Sequence, residues 1–261
     1  MQERIDTILS KNNYNVYDMA EIVRILRSEN GCPWDKVQTH STIKKDMIEE
    51  AYEVVDAIDA NSVPMLREEL GDVMLQVVFH TVIEEENGNF VLDDVADELC
   101  KKLIVRHPHV FGDVKADTVD KVLTNWDAIK KETKGQETFA DTLESVPKNF
   151  PALMRAQKLT KRAARAGVDF EKGASGLEDE LYKALDTALD SVRVSEREGS
   201  DASSDIGEVL MLVCALARRL GVDAEEALST VSGDFTKRFR LLEENGKLSD
   251  QCCKQVLYNT K

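Results

Sequence analysis

The sequence predicts an all-α fold, and three features carry that prediction. Nearly every long segment repeats its apolar residues at three- and four-residue intervals, the period of an amphipathic helix. No convincing strand alternation occurs, and short apolar runs such as Val77-Val78-Phe79 lie inside helical patterns. The breaks between segments carry helix-stopping residues such as Asn30-Gly31, Asn87-Gly88 and Gly135. At 261 residues with 42% apolar content, the chain can build one large domain or two of roughly 100–150 residues.

Residues 18–29 carry apolar Met19, Ile22, Val23, Ile25 and Leu26, and the pattern breaks at Asn30-Gly31 and Cys32-Pro33. The spacing predicts a second helix over 43–59, behind a Ser41-Thr42 start signal. Ser62 with Pro64 opens a third, which runs to Glu86. Asp93 opens a fourth that ends near His107-Pro108, because the residue before a proline is pushed out of the helical region. A fifth spans 118–134. Residues 1–17 read as an N-terminal extension, and 135–150, which lose the periodicity and hold Pro147, read as a linker. Helices near 151–166, 175–197, 203–220, 223–245 and 249–259 follow. This second set echoes the first: Glu69-Leu-Gly-Asp-Val-Met-Leu returns 136 residues later as Asp205-Ile-Gly-Glu-Val-Leu-Met. The sequence therefore predicts two tandem helical modules, 18–134 and 151–261.

Composition excludes several classes. Acidic residues number 49 against 34 basic ones, and the net charge of −15 has the wrong sign for a general nucleic-acid binder or an anionic membrane surface. No apolar run approaches the ~20 residues that a bilayer-spanning helix needs. Met1 is followed by Gln-Glu-Arg-Ile-Asp, without a basic head and apolar stretch, so no signal peptide is expected. Cys32, Cys100, Cys214, Cys252 and Cys253 are odd in number and include an adjacent pair that cannot readily bridge to itself. A reduced, cytoplasmic protein is expected. No CxxC occurs, and His40, His80, His107 and His109 lack zinc spacing.

Chemistry concentrates in the second and third helices. At 100° per residue, Glu50 and Glu53 lie about 60° apart and Glu49 and Glu53 about 40° apart, on one edge of the second helix. Glu69 and Asp72 are likewise about 60° apart on the third. Only a few residues around 61–63 join the two, so an antiparallel hairpin can bring the clusters face to face. Carboxylates so crowded repel one another unless protonated or bound to a cation. An all-oxygen set suits hard Mg²⁺, or Mn²⁺, over zinc. The competing reading is a solvated face of charged helices. Against it stand the apolar neighbours of Glu53 (Ala51, Tyr52, Val54, Val55) and the apolar run 73–79 directly after Asp72. Gly71, which costs about 1 kcal/mol relative to Ala inside a helix, further suggests a close approach of backbone or ligand.

The motifs in this order resemble the MazG family: EExxE at 49–53, then ExxD at 69–72 about sixteen residues on. Gly31-Cys-Pro-Trp34-Asp-Lys precedes them, Arg106-His-Pro-His-Val-Phe111 follows, and Trp126 and Lys130 lie beyond. Members are nucleoside triphosphate pyrophosphohydrolases of the all-α NTP-pyrophosphatase superfamily. The resemblance covers nearly the whole chain, since bacterial members of this length carry two tandem modules. It implies Mg²⁺-dependent hydrolysis of NTPs or dNTPs to monophosphate and pyrophosphate, most simply to clear surplus or non-standard nucleotides. It implies Glu50, Glu53, Glu69 and Asp72 as metal ligands, with Glu49 as a further ligand or as the base that orients the attacking water. It also implies Lys102 and Arg106, at i, i+4, as the basic pair that meets phosphates. Trp34 and Trp126 would stack a base, against the alternative that they are core tryptophans, and Lys130 would reach phosphate or ribose. His107 and His109 are expected to cap or pack.

The second half departs from this pattern. Lys183, Ala184, Asp186 and Thr187 stand where the EExxE should, and Asp234 stands where a base is expected. Asp205 and Glu208 keep two acids with their lengths exchanged. The 151–261 module is therefore expected to lack a metal site and to serve burial and assembly, its apolar face at Leu210, Val213, Leu216 and Leu220 suiting a homodimer or higher homo-oligomer. Two functions compete with the leading one: a narrower dUTP, dCTP or phosphoribosyl-ATP pyrophosphohydrolase, and a non-catalytic scaffold whose acidic edges bind a basic partner.

Overall fold

Helix caps and short connections divide the chain into a series of rods. A computed structural model describes residues 1–114, 118, 121–122, 129, 138–169 and 180–244, and every regular element among them is helical. Two compact units result, Met1–Trp126 and Asp127–Lys261. The first holds α1 (Gln2–Leu9), α2 (Val16–Arg27), α3 (His40–Ile43), α4 (Asp46–Asp59), α5 (Val63–Glu86), α6 (Leu92–Arg106) and α7 (Pro108–Phe111), with one 3₁₀ turn at Asp35–Val37. No helix among the described residues is long and apolar enough to cross a membrane.

Local hydrogen bonds set the helix starts, and they move two of the expected ones. The Asn15 side chain accepts the N–H groups of Tyr17 and Asp18, while the Asp18 carboxylate accepts the Asn15 N–H at 3.0 Å, so α2 starts two residues before Asp18. Lys11 and that N–H hold the Asp18 carboxyl below the usual carboxylate range. Thr39, ahead of the expected Ser41-Thr42 signal, caps the four-residue α3, and α4 begins separately at Asp46. Ser62 accepts the Met65 N–H at 3.4 Å and opens α5 as expected. The Asp94 carboxylate takes the Val91 N–H at 2.9 Å to open α6, which ends at Arg106 before Pro108. Residues 1–17, read as an extension, carry α1, which packs on α2 and buries Ile8.

The core of this unit is Ala20 and Val23 of α2, Ile43 of α3, and Val78, Phe79, Val82 and Ile83 of α5. Wholly buried Ala57 lets α4 lie close along α5. Two polar clasps then tie the connection between α2 and α4 to the far end of α5. Arg27, its side chain only 6% exposed, donates to both Glu86 oxygens (2.8 and 2.7 Å) and to the carbonyls of Asp35 (2.8 Å) and Gln38 (3.0 Å). His40 meets His80 through their Nδ1 atoms at 2.7 Å and Glu84 through Nε2 at 2.5 Å. Gly31 is required here: a Cβ would fall 2.2 Å from the Leu26 carbonyl oxygen. No protein backbone makes the close approach expected at Gly71, since a Cβ there meets nothing within 4 Å.

The histidine clasp carries a pH signature. Burial first, then the His40 charge, holds the His80 imidazole below its ordinary value of 6.5. A lowered folded value means the neutral ring is the one the fold favours. Its contribution is complete above pH 6.5 and declines as pH falls through the lowered value. Melting temperature should therefore fall on mild acidification below pH 6.5 more steeply in the wild type than in His80→Asn. Equal slopes for the two would remove the histidine pair from the account.

The second unit holds α8 (Phe139–Glu144), α9 (Ala152–Arg165), α10 (Glu180–Glu198), α11 (Ser203–Leu220) and α12 (Ala224–Glu244). Helix α8 lies in the stretch read as a linker. Thr138 and Asp141 form a reciprocal cap on a helix too short to display periodicity, and Arg162 of α9 donates to the Thr142 carbonyl and to Ser145 Oγ. Val146 is buried behind it. Helices α9 and α10 both pack on α11, and Leu181 and Ala188 of α10 with Leu212 and Ala215 of α11 form the core. The expected helices over 118–134 and 249–259 fall outside the described residues, apart from 118, 121–122 and 129.

Candidate metal centre

Helices α4 and α5 are joined by three residues, Ala60–Ser62, and run back along one another. That pairing gathers carboxylates that are far apart in sequence. One oxygen each from Glu50, Glu69 and Asp72 lies within 4.8 Å of the others, and all three residues are half-buried. Among the described residues this is the only such group. Glu53 sits within hydrogen-bonding reach of both Glu50 and Glu69. The electrostatics are those of crowded, half-buried carboxylates. Burial, then the charges of Asp72 and Glu53, push the Glu50 carboxyl above the usual range. Burial, then Glu53 and Glu68, do the same for Glu69.

The other sequence-designated residues are placed as follows. Glu49 is exposed on α4, outside the three-carboxylate group. Lys102 and Arg106 share a face of α6, which packs on α5 and is tied to α2 by the Tyr17 hydroxyl donating to Asp93 at 2.8 Å. Lys102 is exposed and lines a groove with Asp94 and Glu98, while Arg106 is half-buried. Trp34 is 59% exposed in the connection clasped by Arg27, so it is not a core tryptophan, and its carbonyl accepts Gln38 Nε2 at 2.9 Å. Trp126 and Lys130 lie outside the described residues. His107 ends α6 and its ring contacts the Leu103 carbonyl at 2.6 Å, a capping role.

The MazG nucleotide pyrophosphohydrolase domain pattern matches residues 38–111, which span every carboxylate of this group together with Lys102 and Arg106. Across 220 residues the chain is 40% identical to a nucleoside triphosphate pyrophosphohydrolase of Escherichia coli K12, covering 84% of this chain and 83% of that protein. The chain belongs to the MazG family. It is also 37% identical over 227 residues to the nucleoside triphosphate pyrophosphohydrolase/pyrophosphatase MazG of Thermotoga maritima, covering 87% of this chain and 85% of that protein.

The second unit of this MazG protein uses its echoed acids differently. Asp205 Oδ2 accepts the Ser195 hydroxyl at 2.6 Å, tying the start of α11 to the end of α10, and Glu208 is exposed. Asp234 pairs with Lys237 of its own helix at 3.6 Å. Sequence reasoning missed Arg27, the His40–His80–Glu84 clasp and Gln76. The signal for the last three existed: Gln76, His80 and Glu84 follow Asp72 at four-residue steps on α5.

Proposed function

We propose that this MazG protein hydrolyses nucleoside triphosphates to the monophosphate and pyrophosphate at the first-unit carboxylate group, with Mg²⁺ bound there and Mn²⁺ able to substitute. The convergence of Glu50, Glu69 and Asp72 from two helices is the observation that carries this reading. Their chemistry fits the ion: the donors are all oxygen, and burial together with neighbouring carboxylates raises the Glu50 and Glu69 carboxyls, a repulsion that a cation would relieve. Glu50, Glu69 and Asp72 would hold the ion, with Glu53 beside them as the fourth carboxylate, and the ion would supply charge neutralisation at the phosphates and Lewis acidity. Glu49, exposed on α4 next to Glu50, orients the attacking water and takes its proton. A water oxygen bonds to phosphorus, the anhydride bond breaks, and pyrophosphate leaves as the second product. Lys102 and Arg106 bind the triphosphate, and exposed Trp34 offers a stacking face to the base.

Nucleotide-pool house-cleaning in the cytoplasm is the role this activity suits. A homo-oligomer suits the apolar stripe of Ile48, Tyr52 and Val55, which are 51%, 52% and 48% exposed on the side of α4 turned away from α5.

Product analysis over a panel of NTPs and dNTPs with Mg²⁺ tests the reading. Monophosphate and pyrophosphate should appear in equal amounts, whereas orthophosphate with NDP as the main products would reject it. An acidic scaffold would gain no thermal stability from millimolar Mg²⁺ or added NTP. A metal and nucleotide site stabilises by mass action with each.

A further inference from the structure

Gln76 is the buried polar residue of α5 that the fold leaves unsatisfied. It is 9% exposed, and its Oε1 is buried with no hydrogen-bond partner among the described residues. Leaving an amide oxygen unpaired inside a protein is costly, so such a group calls for a partner. Its position says where that partner comes from. Glu69, Asp72, Gln76, His80 and Glu84 follow one another by three or four residues along a single face of α5. At one end of this stripe Asp72 meets Glu50 of α4. At the other, His80 and Glu84 meet His40 of α3. Gln76, bracketed by both, is turned to the α3–α4 side, one helical turn of about 6 Å from Asp72.

We propose that Gln76 is a positioning residue of the metal centre, its carboxamide oxygen accepting a hydrogen bond from a water that the cation carries. The inference rests on the metal-dependent reading above. Beside the carboxylates a water is the natural donor: ionised carboxylates and triphosphate oxygens only accept, and the cations Lys102 and Arg106 stand on α6, off the α4–α5 face that carries Gln76. Mg²⁺ retains several waters when protein carboxylates bind it, and coordination sharpens their donor character. A carboxamide also suits the place better than a carboxylate. It supplies the acceptor without adding another negative charge to a group whose Glu50 and Glu69 carboxyls are already raised. Gln76 thereby fixes the orientation of a coordinated water and contributes to holding the ion, as outer-shell partners of metal ligands do.

The test is a Mg²⁺ titration of the full-length protein, without nucleotide, followed by thermal melting and repeated with Mn²⁺ by electron paramagnetic resonance. The variants are Gln76→Leu, Gln76→Met and Gln76→Glu. The apolar variants should melt at or above wild type in the absence of metal, because an unsatisfied buried acceptor has gone. Their half-saturating Mg²⁺ concentration should rise roughly 10–100-fold. Gln76→Glu, which keeps an acceptor oxygen, should bind Mg²⁺ at least as tightly as wild type. Unchanged Mg²⁺ binding in both apolar variants overturns the inference, and so does metal-free melting far below wild type, which would make Gln76 a structural group. Unchanged Mg²⁺ binding with a raised KM for nucleotide also overturns it, by assigning the amide to substrate through Nε2. A wild-type protein that gains nothing from Mg²⁺ or Mn²⁺ rejects the metal-dependent function itself, and the inference falls with it.

Discussion

Glu53→Gln and Asp72→Asn should each lower kcat by more than about 100-fold, while the metal-free variants melt at or above the wild-type temperature. The two halves of this result share one cause. Glu50 and Glu69 hold their protons more tightly than free carboxyls do because burial first, and then the neighbouring Asp72 and Glu53 charges, disfavour their charged forms. A carboxyl raised in the fold weakens stability above its folded value and does not below its unfolded one, 4.5. Removing a neighbouring charge should therefore stabilise the metal-free protein most near neutral pH, and the gain should shrink as pH falls toward 4.5. With the cation present the order should reverse, because each substitution removes a carboxylate oxygen from the proposed centre. Thermal melts with and without Mg²⁺ at two pH values, beside initial rates, measure both. A metal-free variant melting well below wild type would show that these carboxylates are structural partners.

The two units should contribute unequally. Glu69→Gln with Asp72→Asn should abolish hydrolysis, whereas Asp205→Asn with Glu208→Gln should leave kcat within a few-fold of wild type and cost only a modest amount of stability. In the first unit both acids face Glu50 across the hairpin. In the second, Asp205 is engaged by Ser195 at 2.6 Å and Glu208 is exposed, with Lys183 and Thr187 on the facing helix where carboxylates would be needed. Two acids from one helix cannot meet the near-octahedral oxygen demand of Mg²⁺ alone. The Asp205 substitution should cost up to roughly 1.5 kcal/mol of stability, the worth of a single hydrogen bond, read as a lowered melting temperature. Retained hydrolysis in the first variant and its loss in the second would transfer the site to the second unit.

Much of this was legible in the chain alone. Helical periodicity and punctuation identified α2, α5, α9, α11 and α12 to within a few residues, because each is long enough to display its apolar stripe and carries its own cap or stop. The α8 helix was not legible, since six residues show less than two full turns and its cap reads equally well as a turn. The break between α3 and α4 was hidden for a similar reason: Thr39, Ser41 and Thr42 are all competent caps, and only the docking of Ile43 into the core chose among them.

The carboxylates followed the same division. Their grouping on each helix is a consequence of spacing, and the short Ala60–Ser62 connection left little freedom over which helices would meet. Which oxygens converge depends on the register of α4 on α5, which brings Glu50, Glu69 and Asp72 together, sets Glu53 beside them and leaves Glu49 exposed and outside the group. The Arg27 clasp, the meeting of His40 with His80 and Glu84, and the burial of Gln76 were decided by tertiary structure, although the four-residue steps from Asp72 through Gln76 and His80 to Glu84 stood in the sequence. Arg27 binds carbonyl groups of Asp35 and Gln38, which any residues there would possess, so no side-chain pattern could announce it. The sequence by itself determined the helices, the acidic edges and the asymmetry between the two halves, because those depend on residue type and local period. Packing alone decided which polar groups are buried and with whom, because burial depends on what the rest of the chain brings alongside.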